Sequence, residues 1–183
     1  MNAPELLAPK SHTRRNPGPD TVNGWPDDLD LAWAAQVDVS ILFTGSADAV
    51  KLARRIHAVS GWRWGPFLMV DCAWPAPTLD QRLFDVLRPN SEAVAAGELQ
   101  LRLLQPGTIF LHEVGKLGRP LQVRLADALA SSSLAGERRR PRYRIMASTS
   151  ESLLHRVAAG TFDDHLFYRL NMLHVVLPPD DRD

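Results

Sequence analysis

The chain has a single cysteine, Cys72, which excludes an intramolecular disulfide framework and makes a reducing compartment the expected one. It has no apolar run of about 18 residues and no basic-then-apolar leader, so neither a membrane span nor a secretory signal is expected, and the cytoplasm is. Neither sign of charge predominates: 21 Lys and Arg balance 21 Asp and Glu, so no bulk field draws the chain to nucleic acid or to a membrane surface. No internal repeat appears. What is present is ordinary for a globular protein: 183 residues, enough for one domain, of which 45% are hydrophobic, enough for a real core.

Short apolar runs alternate with helical spacings. Residues 1–28 hold many Pro, Gly and Asn with little apolar periodicity and are expected to form a flexible leader. Leu29, Leu31, Trp33 and Val37 suit a short helix covering a sheet edge. Residues 39–44 are the first strong strand, closed by Gly45, after which Ala49, Leu52, Ile56 and Val59 recur on one helical face. Residues 67–70 predict a second buried strand. Residues 77–87 predict a helix with Leu79, Leu83 and Val86 inward and Pro77 in its first turn. A further helix is read over 92–104, and another over 119–130 with Leu121, Leu125 and Leu129 on its inner face. Residues 136–141 form a basic loop, 143–147 a fourth strand, 152–158 a helix, and 173–177 a fifth strand ended by Pro178-Pro179. This alternation predicts an α/β fold, a three-layer parallel sheet in one domain over residues 29–183.

The third strand organises the rest. Ile109, Phe110 and Leu111 form an uninterrupted apolar run between Pro106-Gly107 and Gly115, which suits a strand buried on both faces. A polar pair, His112-Glu113, sits where that strand ends, and open parallel sheets bind ligands just beyond the carboxyl ends of their strands. The run Arg138-Arg139-Arg140 offers phosphate contacts, but a charge run in a loop is ordinarily solvated, and direct DNA binding is not expected from it.

From Val39 to Pro179 the chain resembles the AAA+ domain of bacterial sigma-54-dependent transcriptional activators, the sigma-54 factor interaction domain. The likeness is carried, in family order, by VSILFTGS with RRIHAVS, GPFLMVDCAW, GTIFLHEVGKL with LQVRLADAL, and RIMASTSESL. The most specific segment is AAGTFDDHLFYRLNMLHVVLPP, set against the family's FxxDLYYRLN…LPP. The resemblance implies a P-loop NTPase frame with ATP and magnesium at the strand ends, although a fold does not by itself secure an activity.

Against the family pattern the chemistry looks damaged. The counterpart of the family's GESGTGKE runs from Gly45 to Leu52; in such loops glycines let backbone N–H groups approach the phosphates. Gly45 and Lys51 keep the spacing from first glycine to lysine, but Val50 replaces the second glycine, Asp48 stands at an inner one, and no hydroxyl follows Lys51. Counting back from Ile56-His57 instead puts Ala49 at the lysine position, with two residues lost. Lys51 then either still contacts a phosphate or is an exposed helix residue beside a shortened turn. A carboxylate about 4 Å from a phosphate oxygen costs on the order of 4 kcal/mol per charge pair at an effective dielectric of about 20. Ser46 or Asp48 is expected to cap the helix that starts near Ala49.

His112 takes the place of the magnesium-holding Asp, and magnesium wants oxygen ligands. By the same resemblance Glu113 orients the attacking water, and Thr149 matches the sensor strand, with Ser150 replacing the usual Asn. Asp163 stands where the family places one of two arginines used across a ring interface, and Arg169 matches the second, either at an interface or in a salt bridge to a carboxylate such as Glu113. The sigma-contacting GAFTGA loop has no counterpart between Phe84 and Gly107, and the sequence ends where the helical lid subdomain would begin.

The expectation is thus a degenerate AAA+ domain with its lid absent, a pseudo-ATPase acting as an interaction or modulating module in transcription regulation. No cofactor and no metal is expected; Gly45, Lys51 and Thr149 form a vestigial phosphate site, Glu113 a vestigial catalytic residue, and Arg169 an interface arginine. The partner implied is an intact sigma-54-dependent activator. The alternative is a residual ATP-binding protein or weak ATPase of the same family, using Lys51, Glu113, Thr149 and Arg169 with ATP and magnesium.

Overall fold

The apolar runs become strands and the helical spacings become helices in the computed structural model, which describes residues 28–45, 48–87, 106–134 and 143–178. In chain order the first half comprises α1 (Asp28–Gln36), β1 (Ile41–Thr44), α2 (Ala49–Val59), β2 (Phe67–Asp71) and α3 (Ala76–Leu87). The second half comprises β3 (Gly107–His112), a 3-10 turn (Val114–Lys116), α4 (Arg119–Leu134), β4 (Tyr143–Thr149), α5 (Leu153–Ala158), α6 (Asp164–Leu170) and β5 (Leu173–Val176). The strands form one parallel sheet in the order β2-β3-β4-β1-β5. The readings made for residues 1–27, 92–104 and 136–141 lie outside the described residues.

Alternation along each strand separates two cores. Leu42, Val70, Ile109, Leu111, Ile145 and Ala147 face the helices α3, α4, α5 and α6. Ile41, Phe43, Phe110 and Met146 face α1 and α2. Phe110 stacks between Phe67 and Phe43, with ring centroids 6.0 and 6.4 Å apart, within the range of favourable aromatic pairs. Because helices cover both faces, the central strands β3 and β4 are buried nearly throughout, as their unbroken apolar runs require. The register carries Asp71 level with His112, and Thr44 level with both Thr149 and Val176, so the polar strand ends gather along one edge of the sheet.

Several local details depart from the sequence reading. β2, read as a buried strand, lies at the end of the sheet, where Val70 is buried and Met69 is exposed. Val59 ends α2 with 61% of its surface exposed, while Leu52, Ala53 and Ile56 carry the buried face. β1 starts at Ile41, two residues later than expected; the Ser40 carbonyl before it still accepts from the Leu173 N–H, and the Val39 carbonyl accepts from Arg144. Arg144 itself points into the interior from β4, only 2% exposed. Its Nε donates to the Val39 carbonyl at 3.3 Å and its Nη2 to the Ala34 carbonyl, leaving Nη1 without a partner among the described residues. Burial pushes its pKa down to about 10, with the Asp38 carboxylate acting in the opposite sense. The bond to Ala34 satisfies a carbonyl in the last turn of α1 that the helix cannot satisfy itself, the bond to Val39 one in the segment that follows, and together they tie α1 to the sheet.

Candidate functional site

The strand-end edge is assembled from two neighbouring parts. In the first, β1 passes through Gly45 into α2. Gly45 has φ +114°, and a Cβ there would lie 2.4 Å from the Leu177 carbonyl oxygen, so only glycine fits. Leu177 is held in place by its N–H, which donates to the Thr44 carbonyl at 2.7 Å. Asp48 occupies the cap position of α2, but its side chain makes no cap bond, so of the two expected caps the Asp48 one is not formed. Its carboxylate pairs with the Lys51 ammonium one turn along the helix, with side chains 32% and 69% exposed respectively. An ion pair satisfies that carboxylate as well as backbone N–H groups would. Ser46 lies outside the described residues.

In the second part, β3 runs into the 3-10 turn through Glu113, the one residue other than glycine with a positive φ among those described (φ 52°, ψ 53°). A left-handed residue with a side chain costs on the order of 1–3 kcal/mol and persists only where its surroundings hold it. Here Ser150 holds it: its N–H and its Oγ donate to Glu113 Oε2 at 3.1 and 2.9 Å. Hydrogen bonds to a carboxylate are stronger than neutral ones. The Ser148 hydroxyl lies 3.1 Å from His112 Nδ1 and accepts from the Glu113 N–H at 3.4 Å. The salt bridge from Arg169 to Glu113 is therefore not formed; Ser150 has taken the carboxylate.

Thr149 sits at the end of β4, where its hydroxyl is spent on its own turn, accepting from the Glu151 N–H at 3.1 Å and donating to the Glu151 carbonyl at 3.3 Å. Beyond it Glu151 bridges Lys116 at 2.5 Å and Arg156 Nη1 at 2.8 Å, and Arg156 also donates to the Gly115 carbonyl. The Lys116 ammonium beside Glu151 holds its carboxyl below the ordinary glutamate range. This contribution is present above that ordinary range and is lost as pH falls through the lowered pKa.

Asp163 caps α6, accepting from the Leu166 N–H at 2.9 Å, while its own N–H donates to Gln122 Oε1 at 2.8 Å and Arg119 stands 3.7 Å away. Arg169 lies half-buried in the last turn of α6 and makes no hydrogen bond or ion pair among the described residues.

The structure thus brings Glu113 and Thr149 to one edge through Ser148, Ser150 and Glu151, three residues the sequence reading left unassigned or noted only as a departure. The polar run Ser148–Glu151 directly after an apolar strand is the signal that marks them. Lys51 and Gly45 belong to the other part, and Arg169 touches neither. No group of three His, Cys, Asp or Glu side chains able to hold a metal occurs among the described residues, and no helix among them is long and apolar enough to cross a membrane.

The chain matches the sigma-54 interaction domain over residues 29–176. It is 38% identical over 151 residues to the acetoin catabolism regulatory protein of Cupriavidus necator, covering 77% of this chain and 22% of that one. It is 34% identical over 160 residues to the regulatory protein AtoC of Escherichia coli, covering 82% and 34%. NtrX from Brucella abortus in complex with ATP superposes on it with a TM-score of 0.64 at 28% identity, over 81% of this chain and 35% of that one. The chain spans about a fifth to a third of the length of these relatives. With its five-stranded parallel sheet of the P-loop NTPase type, the chain belongs to the sigma-54 interaction domain family of bacterial transcription regulators.

Proposed function

We propose that this sigma-54 interaction domain neither hydrolyses ATP nor depends on it, and serves as an interaction or modulating module in transcription regulation. The observation that carries the reading is the ion pair at the start of α2, where the Asp48 carboxylate takes the Lys51 ammonium that a phosphate would need. A phosphate entering there meets a carboxylate and a cation already neutralised. His112 supports the same reading, because magnesium prefers hard oxygen ligands and an imidazole stands at this strand end. Phosphoryl transfer is mostly positioning and charge stabilisation, so a well-held Glu113 alone has little to act on. On this reading Gly45, Lys51 and Thr149 are remnants of a phosphate site, and no nucleotide is required.

The partner we propose is an intact sigma-54-dependent activator. Arg169 supports it: an arginine without an ion pair among the described residues, half-buried in the last turn of α6, is suited to a carboxylate or phosphate on a neighbouring subunit. A second reading, residual ATP binding, is favoured by one observation, the strained Glu113 that two Ser150 donors still hold in place.

One experiment separates them. Calorimetric titration with ATP, with and without magnesium, is expected to show no binding, and turnover is expected to equal background in the parent and in His112→Asp alike. An intact activator added to the protein is expected to change in complex mass and ATPase rate, and the Arg169→Ala variant to lose that effect. Turnover by the purified protein that disappears on Glu113→Gln overturns the reading.

A further inference from the structure

We propose that the outer edge of β2 is a docking site for an extended segment of a partner protein whose side chains are acidic and apolar, added to the sheet as a further strand. β2 ends the sheet, paired with β3 on one side and with no strand on the other among the described residues. Exposed edge strands are ordinarily guarded by lysine, proline or a bulge, because their unpaired N–H and C=O groups recruit other chains. Phe67-Leu68-Met69-Val70 holds no lysine, the proline and the charge of this strand standing only at its ends, at Pro66 and Asp71, and Met69 is 48% exposed.

Arginine–aromatic stacks surround this strand. Before it, Trp64 is 81% exposed with the Arg63 guanidinium 5.1 Å from its ring centre. After it, Trp74 is 38% exposed with Arg82 at 4.8 Å. On the α2 side, Arg54 lies 4.7 Å above Phe67. Such stacks occur about once in 70–80 residues of ordinary structure, and here three border one strand. None of the three guanidiniums has a carboxylate partner among the described residues, whereas Lys51, Lys116, Arg119, Arg124 and Arg156 are all paired.

Stacking uses the face of a guanidinium and leaves its in-plane N–H donors for a carboxylate. The chemistry that complements this edge is therefore backbone for the open ladder, apolar side chains for Met69 and Phe67, and carboxylates for the arginines. β2 is five residues long, roughly 17 Å at the usual rise, so its flanking stacks suit an extended segment of similar length. Strand addition of this kind draws affinity from main-chain bonds and selectivity from side-chain pockets. Nucleic acid is disfavoured, because the balanced charge of the chain supplies no long-range attraction and an open ladder has nothing to pair with in a sugar-phosphate backbone.

The test is fluorescence anisotropy of the full chain with a short labelled peptide of alternating Glu and Val. Its comparators are a Lys/Val peptide, the Glu/Val peptide N-methylated at alternate residues, and oligothymidylate. Binding of the Glu/Val peptide that weakens with salt, and is abolished by N-methylation, is expected. Arg54→Gln/Arg63→Gln/Arg82→Gln is expected to weaken it about tenfold, as loss of three modest exposed charge contacts would. Arg63→Gln alone, in an exposed turn, gives a smaller loss and guards against a triple variant that fails to fold. Absence of binding at millimolar peptide, equal binding of the Lys/Val or N-methylated peptide, or preference for oligothymidylate overturns the proposal.

Discussion

Along the carboxyl edge of the sheet, the turn between β1 and α2 and the turns after β3 and β4 differ in how their charges are used. After β1 the charged groups are spent on each other: Asp48 neutralises Lys51, both at the surface. After β3 and β4 Glu151 is likewise paired with Lys116 and Arg156, but other charges there also hold backbone in place. The Ser150 N–H and hydroxyl fix the left-handed Glu113, Arg156 donates to the Gly115 carbonyl, and farther along Asp163 caps α6. On the proposed reading, the first part keeps its glycine but not the residues that would grip an anion, while the second keeps a strained geometry held by Ser150. The shape of a site would then outlast its chemistry, because shape is set by burial and backbone, and chemistry by a few exposed side chains.

The largest effect belongs to backbone shape. Gly45→Ala places a Cβ 2.4 Å from the Leu177 carbonyl oxygen at a φ of +114° that alanine avoids. A cost of about 2–4 kcal/mol is expected, from backbone strain and overpacking together. For a domain of this size that lowers the thermal midpoint by roughly 5–15 °C, read by circular dichroism. An unchanged midpoint would mean that the turn after β1 is loose, and that the two parts differ in order as well as in charge.

An intermediate effect tests whether Asp163 is a structural group. Asp163→Ala should cost about 1–2 kcal/mol, the value of a helix cap plus a weak ion pair with Arg119. Asp163→Asn should cost only a few tenths, because the amide oxygen still accepts from Leu166. Asp163→Arg, which installs the residue the family resemblance implies, should be at least as harmful as alanine, since a cation is unfavourable at a helix N-terminus by about 0.3–1 kcal/mol. Urea unfolding of the four proteins ranks them. If the arginine variant is as stable as the parent, the cap is not what holds α6.

What could be read in advance follows the same division. The strands β1 to β5 and the buried faces of α2, α3 and α4 were legible because a period of two or 3.6 and an unbroken apolar run are consequences of burial alone. Lys51 as an exposed helix residue is one of the two readings the sequence offers, but its pairing with Asp48, although local in sequence, is not part of it. Ser150 holding Glu113, and Arg144 turned inward to cap α1, were not legible, because each depends on residues about 37 and 110 positions apart that only the sheet brings together. α6 was passed over although Asp163 followed by Leu166, Phe167 and Leu170 is a cap followed by an apolar face. There the likeness to a family segment absorbed residues whose local signal was sufficient.

The smallest effect is the most discriminating. Lys51→Ala removes an exposed ion pair spanning three residues, for which about 0.5 kcal/mol or less is expected, partly offset by the better helix propensity of alanine. A null result alone is ambiguous, because it also follows if a phosphate site is merely empty during unfolding. Asp48→Ala resolves it by releasing Lys51 at the start of α2 with no carboxylate beside it. If the pair is the whole role of both residues, the double-mutant cycle gives a coupling of a few tenths of a kcal/mol that fades with salt, and ATP, assayed against all four proteins, binds none of them. If Asp48→Ala gains nucleotide affinity that Lys51→Ala then removes by about tenfold, or 1.4 kcal/mol, the first part is a phosphate site held shut by one carboxylate. The contrast between the two turns would then be one of regulation, with Asp48 as the lock.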